Sequence, residues 1–142
     1  MRIGELAELT GVGVETVRYY EKSAMLSPPA RAPIGYRTYG AAHLERLSFI
    51  RHCRALDMPL GEVSRLLDFL DHPASDCGDI NVLVDDQLSR VRARLKSMRA
   101  LEKQLVALRK QCSDTRATID CGILHELVLA AHGEACARVA AN

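Results

Sequence analysis

No stretch of the 142 residues approaches the run of about 18 apolar residues that a membrane-spanning helix needs. The opening MRIGELAELTGV has no apolar segment behind a basic start, so no secretory signal is visible. Both absences point to a cytoplasmic protein with no membrane partner. The five cysteines, an odd number in a chain without an export signal, do not form a disulfide framework. A charge excess is lacking as well: the net charge of +1 does not by itself announce nucleic acid. Internal repeats and low-complexity linkers are also missing, and the length fits one domain, or a small domain with an extension.

What is present is helix after helix, with one irregular break at 27–39. In IGELAEL, residues 3–9, the apolar Ile3, Leu6 and Ala7 share one face, and Thr10-Gly11 stops the helix because glycine readily supplies a left-handed turn. A second helix from about Val14 to Ala24 would bury Val14, Val17 and Tyr20. The break SPPARAPIGYRTYG holds three prolines, and Gly35 followed by Tyr36-Arg37-Thr38-Tyr39 reads as a small hairpin. Helices are expected at about 41–55 and 60–70, with Pro59 suited to a first-turn position.

The longest element is expected at 79–111. Val84, Leu88, Val91, Leu95, Met98, Leu101, Leu105, Leu108 and Cys112 recur every three or four residues, with a local change of winding across Met98. A helix of this length spans about 50 Å. Its single narrow apolar seam needs a partner helix, and nothing else in the chain is long enough to cover it, so homodimerisation is expected. Residues 113–120 (SDTRATID) read as a loop, a short helix follows at about 122–131, and the tail HGEACARVAAN has no clear fate.

Helix, glycine turn and helix within the first 24 residues form a helix-turn-helix pattern, whose second helix would present Glu15 and Thr16 to base edges, with Arg18 a turn later. All four tyrosines fall within 19–39, and a phenol can bury its ring while giving its hydroxyl to a phosphate. Residues 31–54 carry Arg31, Arg37, Arg46, Arg51 and Arg54 against one acid, Glu45; a solvated helix face would explain this charge equally well.

At this point the chain resembles a known family. IGELAELTGVGVETVRYYEKSAML, then RAPIGYRTYG, then LERLSFIRHCRALDMPLGEV, is similar to the DNA-binding head of the MerR family of transcription regulators. DCGDINVLVDDQL and CSDTRATIDCGIL resemble its lead- and cadmium-responsive branch, so the resemblance spans about residues 1–128. It implies a mainly α fold: a winged helix-turn-helix head over 1–72, a long antiparallel coiled-coil dimerisation helix over 73–112, and a metal-binding loop, short helix and tail over 113–142. It also implies DNA contacts by Arg18 and Tyr19 on the recognition helix and by Tyr36, Arg37 and Tyr39 on the wing, with a phosphate contact from Arg54. Such dimers bind a two-fold operator in double-stranded promoter DNA, in an overlong promoter spacer, with RNA polymerase at the promoter. They keep the promoter inactive without ligand and distort it into an active form with ligand.

Cys77 precedes the long helix, Cys112 ends it, and Cys121 follows an eight-residue loop. The spacing of the last two is not specific, and three idle thiols would also be compatible with it. A straight helix between Cys77 and Cys112 separates them by about 50 Å, so one chain cannot bring both to one ion. An antiparallel dimer can, giving two equivalent three-thiolate sites across the interface; the resemblance implies the same arrangement. Thiolates select soft or borderline ions and leave Mg²⁺ and Ca²⁺ aside. The candidates are Pb²⁺ and Cd²⁺ first, then Zn²⁺ and Hg²⁺. The zinc-responsive branch carries an additional cysteine beside the first loop cysteine and a histidine in the loop, and Gln111 and SDTRATID supply neither.

Cys53 reads as packed and Cys136 as an idle or auxiliary thiol; His125 shares a helix face with Cys121, which leaves a fourth metal ligand open beside a capping or solvated role, and with only His132 in the tail no second metal site is expected there. Other functions remain open. A metal-buffering protein would use the cysteines but leave the head idle, and a thiol redox sensor could pair Cys112 with Cys121. An enzyme built on Cys121 and His125 would lack an orienting group and an oxyanion feature, so no enzymatic activity is expected.

Overall fold

The computed structural model describes residues 1–74, 76–112 and 118–141. Along the chain run α1 (Ile3–Thr10), α2 (Val14–Lys22), β1 (Ala30–Arg31), β2 (Arg37–Thr38), α3 (Ala41–Ala55), α4 (Leu60–Asp71), α5 (Gly78–Arg109), a single 3-10 turn (Thr118–Asp120) and α6 (Gly122–Ala141). They divide between two compact units, 1–87 and 88–142, with the division inside α5.

In the first unit α1 ends as its sequence dictates. Gly11 adopts φ 70°, and its N–H returns to the Ala7 carbonyl. The left-handed conformation is what glycine supplies here; the nearest neighbour of an added side chain would be the mobile Arg51 guanidinium. Thr10 is buried and satisfies its hydroxyl on the Leu6 carbonyl at 2.8 Å. Helix α2 stops at Lys22, two residues before the expected end; Ala24 has φ 61°, outside the helical region.

The proline-rich break becomes the expected hairpin. β1 and β2 pair antiparallel, Ala30 opposite Thr38 and Arg31 opposite Arg37. Gly35 turns the chain at φ 93°, with its N–H on the Ala32 carbonyl at 2.8 Å. Behind the hairpin and the helices lies one core, containing Leu6, Val17, Tyr20, Leu26, Tyr39, Leu47, Ile50, Cys53, Val63 and Leu67. Each large apolar side chain buried here stabilises the unit by about 1.5–3 kcal/mol. Arg46 ties the layers together: its Nε donates to the Met25 carbonyl at 2.7 Å, and its two terminal nitrogens grip Asp71 at 2.8 and 3.1 Å. That guanidinium holds the Asp71 carboxyl below the usual carboxylate range.

The start of α5 belongs to this unit. Leu83 is buried, and buried Gln87 donates from Nε2 to the Leu56 carbonyl at 2.7 Å, which joins α5 to the turn after α3. The face predicted as the dimer seam is a different one: Val84, Leu88, Leu95, Met98, Leu101 and Leu105 are all exposed in the single chain. Helix α6 is longer than the short helix expected at about 122–131 and takes in the tail that had no assigned fate, continuing through Ala141. Its residues offer no proline after Gly122, and alanine, glutamate, arginine and leucine favour helix throughout.

Candidate nucleic-acid interface and metal centre

The turn Gly11–Gly13 sets α2 after α1, and burial of Val17 and Tyr20 decides which face α2 turns outward. Thr16, Arg18 and Tyr19 lie on that outward face, all exposed. Arg18 is held by Glu15 at 2.9 Å, an exposed pair whose charge remains accessible to a competing anion. The hairpin stands beside α2. Tyr36 is partly exposed, and the Arg2 guanidinium stacks 4.3 Å above its ring, which fixes a cation at the wing surface. Between α2 and the hairpin lies an open cleft of about 850 Å³, with Arg2, Arg18, Lys22, Arg31 and Arg37 in its lining and Glu21 as the lone carboxylate there. The modest net charge of the chain is thus unevenly distributed, and this cleft suits a phosphate backbone.

Glu21 was not singled out from the sequence, yet it organises the wing. Its carboxylate is nearly buried, accepts the Tyr39 hydroxyl, and lies 3.3 Å from Arg37. Burial, and then the hydrogen bond to Glu21, push the Tyr39 phenol up to about 12. Tyr39 is 1 % exposed, with its hydroxyl given to Glu21 and its ring edge-on to His43. This placement departs from the expectation of a hydroxyl offered to phosphate: the ring fills the core under the wing and the carboxylate takes the hydroxyl. Arg37 remains half-exposed, facing Glu21 on one side and the cleft on the other.

Arg54 is exposed and donates one nitrogen to the Met58 carbonyl at 2.7 Å, tying the last turn of α3 to the turn before α4. Cys53 is buried as read, and burial pushes its thiol up.

None of the five cysteines is in a disulfide. Cys77 is exposed at the entry to α5, where its carbonyl accepts the N–H groups of Ile80 and Asn81. Cys112 and Cys121 are each half-buried, in the second unit. Gly122 has a local role beside them, since a side chain there would lie 2.7 Å from the Gln111 carbonyl oxygen and 3.3 Å from Gln111 Cβ. The backbone next to Cys121 therefore packs directly on the backbone next to Cys112, and only glycine allows that approach. Of the loop SDTRATID, residues 113–117 lie outside the described residues. His125 turns back on it, Nε2 lying 2.8 Å from the Ile119 carbonyl, so this nitrogen carries the hydrogen and caps the turn. Among the described residues, no three His, Cys, Asp or Glu side chains of one chain come together as a metal-ligand group.

Residues 1–70 match the family of MerR HTH family regulatory proteins, and residues 44–108 match the family described as MerR, DNA binding. The chain belongs to the MerR family. This MerR protein is 38% identical over 111 residues to the HTH-type transcriptional regulator ZntR homolog of Haemophilus influenzae, covering 78% of this chain and 82% of the relative. The transcription regulator PbrR691 from Ralstonia metallidurans CH34, solved in complex with lead(II), is similar at TM-score 0.76 and 46% identity, over 89% of this chain and 98% of that one. The dual-function regulator MerR of Bacillus megaterium MB1, solved with mercury(II), is similar at TM-score 0.68 and 29% identity, over 90% of this chain and 99% of that one. The mainly helical head with a two-stranded wing, followed by a long helix, is thus the architecture of MerR structures. No described helix is long and apolar enough to cross a membrane.

Proposed function

We propose that this MerR protein is a cytoplasmic, metal-responsive transcription regulator, not an enzyme, that binds a two-fold promoter operator as a homodimer. Cys77, Cys112 and Cys121 would hold a soft divalent ion across the subunit interface, Pb²⁺ or Cd²⁺ ahead of Zn²⁺ or Hg²⁺. The observation that carries the reading is the placing of cysteines at both ends of α5, a helix whose apolar seam is uncovered in the single chain. An antiparallel partner covers that seam and sets Cys77 of one chain beside the Cys112–Cys121 end of the other. The donor set suits a soft ion: three thiolates, with Gly122 closing the loop so that two of them start from adjacent backbone. Identity to the lead-bound neighbour supports the choice of metal class.

On DNA, Thr16, Arg18 and Tyr19 would face the major groove, with Tyr36, Arg37 and Arg54 on the flanking backbone and Tyr39 as the support of the wing. Gln87 and Leu83 make the first turns of α5 rigid with the head, so a change in how two α5 helices pack must move two heads. The bound ion would supply a cross-link between subunits at both ends of the seam. Activation then works through distortion of bound promoter DNA for RNA polymerase rather than through release. Bending and untwisting a site costs on the order of several kcal/mol, and the ion can supply this only by its differential affinity for the two states.

Mixed dimers test the site. A heterodimer with Cys77→Ser in one chain and Cys112→Ser in the other keeps one intact cross-subunit site, and should bind one ion tightly. A heterodimer with both substitutions in one chain leaves each site short of one ligand, and should bind none. Equal binding by the two, or the reverse order, refutes the cross-subunit site.

A further inference from the structure

Two of the cations that line the cleft between α2 and the hairpin already share a carboxylate: Arg18 pairs with Glu15, and Arg37 with Glu21. Arg2 lines the same cleft, and among the described residues no carboxylate pairs with it. Its guanidinium lies instead over the ring of Tyr36, 4.3 Å from the centroid, and that ring belongs to a wing residue 41 % exposed.

The backbone on either side of this side chain is anchored. The Met1 carbonyl accepts the N–H of buried Tyr39 at 2.7 Å, and the Arg2 carbonyl accepts the N–H of buried Leu6 at 3.1 Å. The chain at residue 2 is thereby tied to the foot of the wing and to the first turn of α1. The Arg2 side chain makes no capping bond to α1 and is exposed, so its charge is not engaged by the helix it precedes.

This arrangement contributes little to folding, since a cation–π contact at an exposed site shifts an equilibrium only about two- to fivefold. What it supplies is order. A long arginine side chain in water samples many rotamers, and fixing it on a ligand is unfavourable. The ring holds the guanidinium in place beforehand and leaves N–H donors for a bidentate grip on a phosphate group. Phosphate is the anion this place suits, because Lys22, Arg31 and Arg37 add to the same positive field and Glu21 is the lone carboxylate in the lining.

We infer that Arg2 is a further DNA-backbone residue, making one phosphate contact per head, and that the Tyr36 ring is the platform that orients it. The inference rests on the reading of this face as the DNA interface and adds a contact from outside both the recognition helix and the wing. It also assigns Tyr36 a role for its ring face, separate from any contact of its hydroxyl.

The test uses the full-length protein and an operator duplex selected with the wild type from a random-sequence pool, with affinity measured across a salt series. Arg2→Ala should weaken binding most at low salt and flatten the slope by about 0.9 per head engaged. Ethylation interference should show a phosphate whose modification inhibits the wild type and leaves Arg2→Ala unaffected. Tyr36→Leu should cost about two- to fivefold more per head in the wild-type background than in Arg2→Ala, and Tyr36→Phe, which keeps the ring, should keep that coupling. An Arg2→Ala slope equal to that of the wild type, or an unchanged ethylation pattern, overturns the inference, whatever happens to the melting temperature. Strictly additive effects of Arg2→Ala and Tyr36→Leu overturn the platform. Arg18→Ala, measured alongside, separates the two readings. If it weakens binding and Arg2→Ala does not, the DNA interface stands and this inference falls; if neither changes binding, both fall.

Discussion

Replacing Glu21 tests whether the wing is held in place by a carboxylate. In Glu21→Ala the Tyr39 hydroxyl, in a residue only 1 % exposed, loses its acceptor, and an unpaired buried hydroxyl costs about 1–3 kcal/mol. In Glu21→Gln the side-chain oxygen still accepts that hydroxyl. What disappears is the charge, and its pairing with half-exposed Arg37 is worth less than about 1 kcal/mol. Urea denaturation should therefore rank the proteins wild type, then Gln slightly lower, then Ala lowest. Tyr39 reports independently. A phenol whose folded-state pKa is raised from 10.0 to about 12 contributes stability that is fully present below pH 10 and is lost as pH rises through about 12. That rise corresponds to about 3 kcal/mol. Burial is its first cause and the bond to Glu21 its second, so Glu21→Gln should move the Tyr39 titration down from about 12 while leaving part of the rise in place. Arg37 gains freedom in the same variant, so binding to any duplex DNA should strengthen at low salt and its salt slope steepen by up to about one. An Ala variant as stable as the Gln variant, with the phenol titration unmoved, would refute the reasoning.

Arg18→Ala and Arg37→Ala should each weaken DNA binding and leave metal binding unchanged; loss of Arg37 should flatten the salt dependence by about one unit of slope. An Arg37 variant that binds operator at wild-type strength across salt concentrations would remove the wing assignment. Gly122→Ala forces a methyl group against the Gln111 carbonyl and should cost the loop about 1–3 kcal/mol, with metal affinity reduced and operator affinity retained; isothermal titration with Cd²⁺ beside a gel-shift series checks both. Footprinting with and without metal should show a retained footprint and new hypersensitive cleavage near the operator centre. Loss of the footprint at saturating metal while transcription rises would mean simple derepression.

Much of the fold was legible because its signals are local. Thr10-Gly11 stops α1, Gly35 turns the hairpin, and the limits of α3 and α4 fall within a residue of their periodic patterns. The seam of α5 was legible for the same reason, since repetition every three or four residues states which side of a helix must be covered. What escaped were relations between elements. Nothing within VRYYEK marks Glu21 as different from Glu15, and only the folding of the hairpin against α2 shows that one carboxylate turns inward to Tyr39 while the other stays in solvent. Tyr39 was misplaced on the same account: a tyrosine two residues from an arginine on a wing has the composition of a DNA contact, and tertiary packing decides where its hydroxyl goes.

The cysteines show where such reading stops and how the structure extends it. Spacing alone excludes a single-chain site joining Cys77 to Cys112, because the helix between them is too long, but it is silent on how Cys112 and Cys121 approach each other. Gly122 answers that in part, through a contact that no other residue would permit without a shift of the Gln111 backbone. The tail is the converse case. With no structure assigned to it, HGEACARV holds a histidine and a cysteine with no reason to meet; continued as helix, the same four-residue spacing sets Cys136 Sγ 3.6 Å from His132 Nε2. In both places the residue types were visible in the sequence, and the state of the backbone that carries them decides which of them meet.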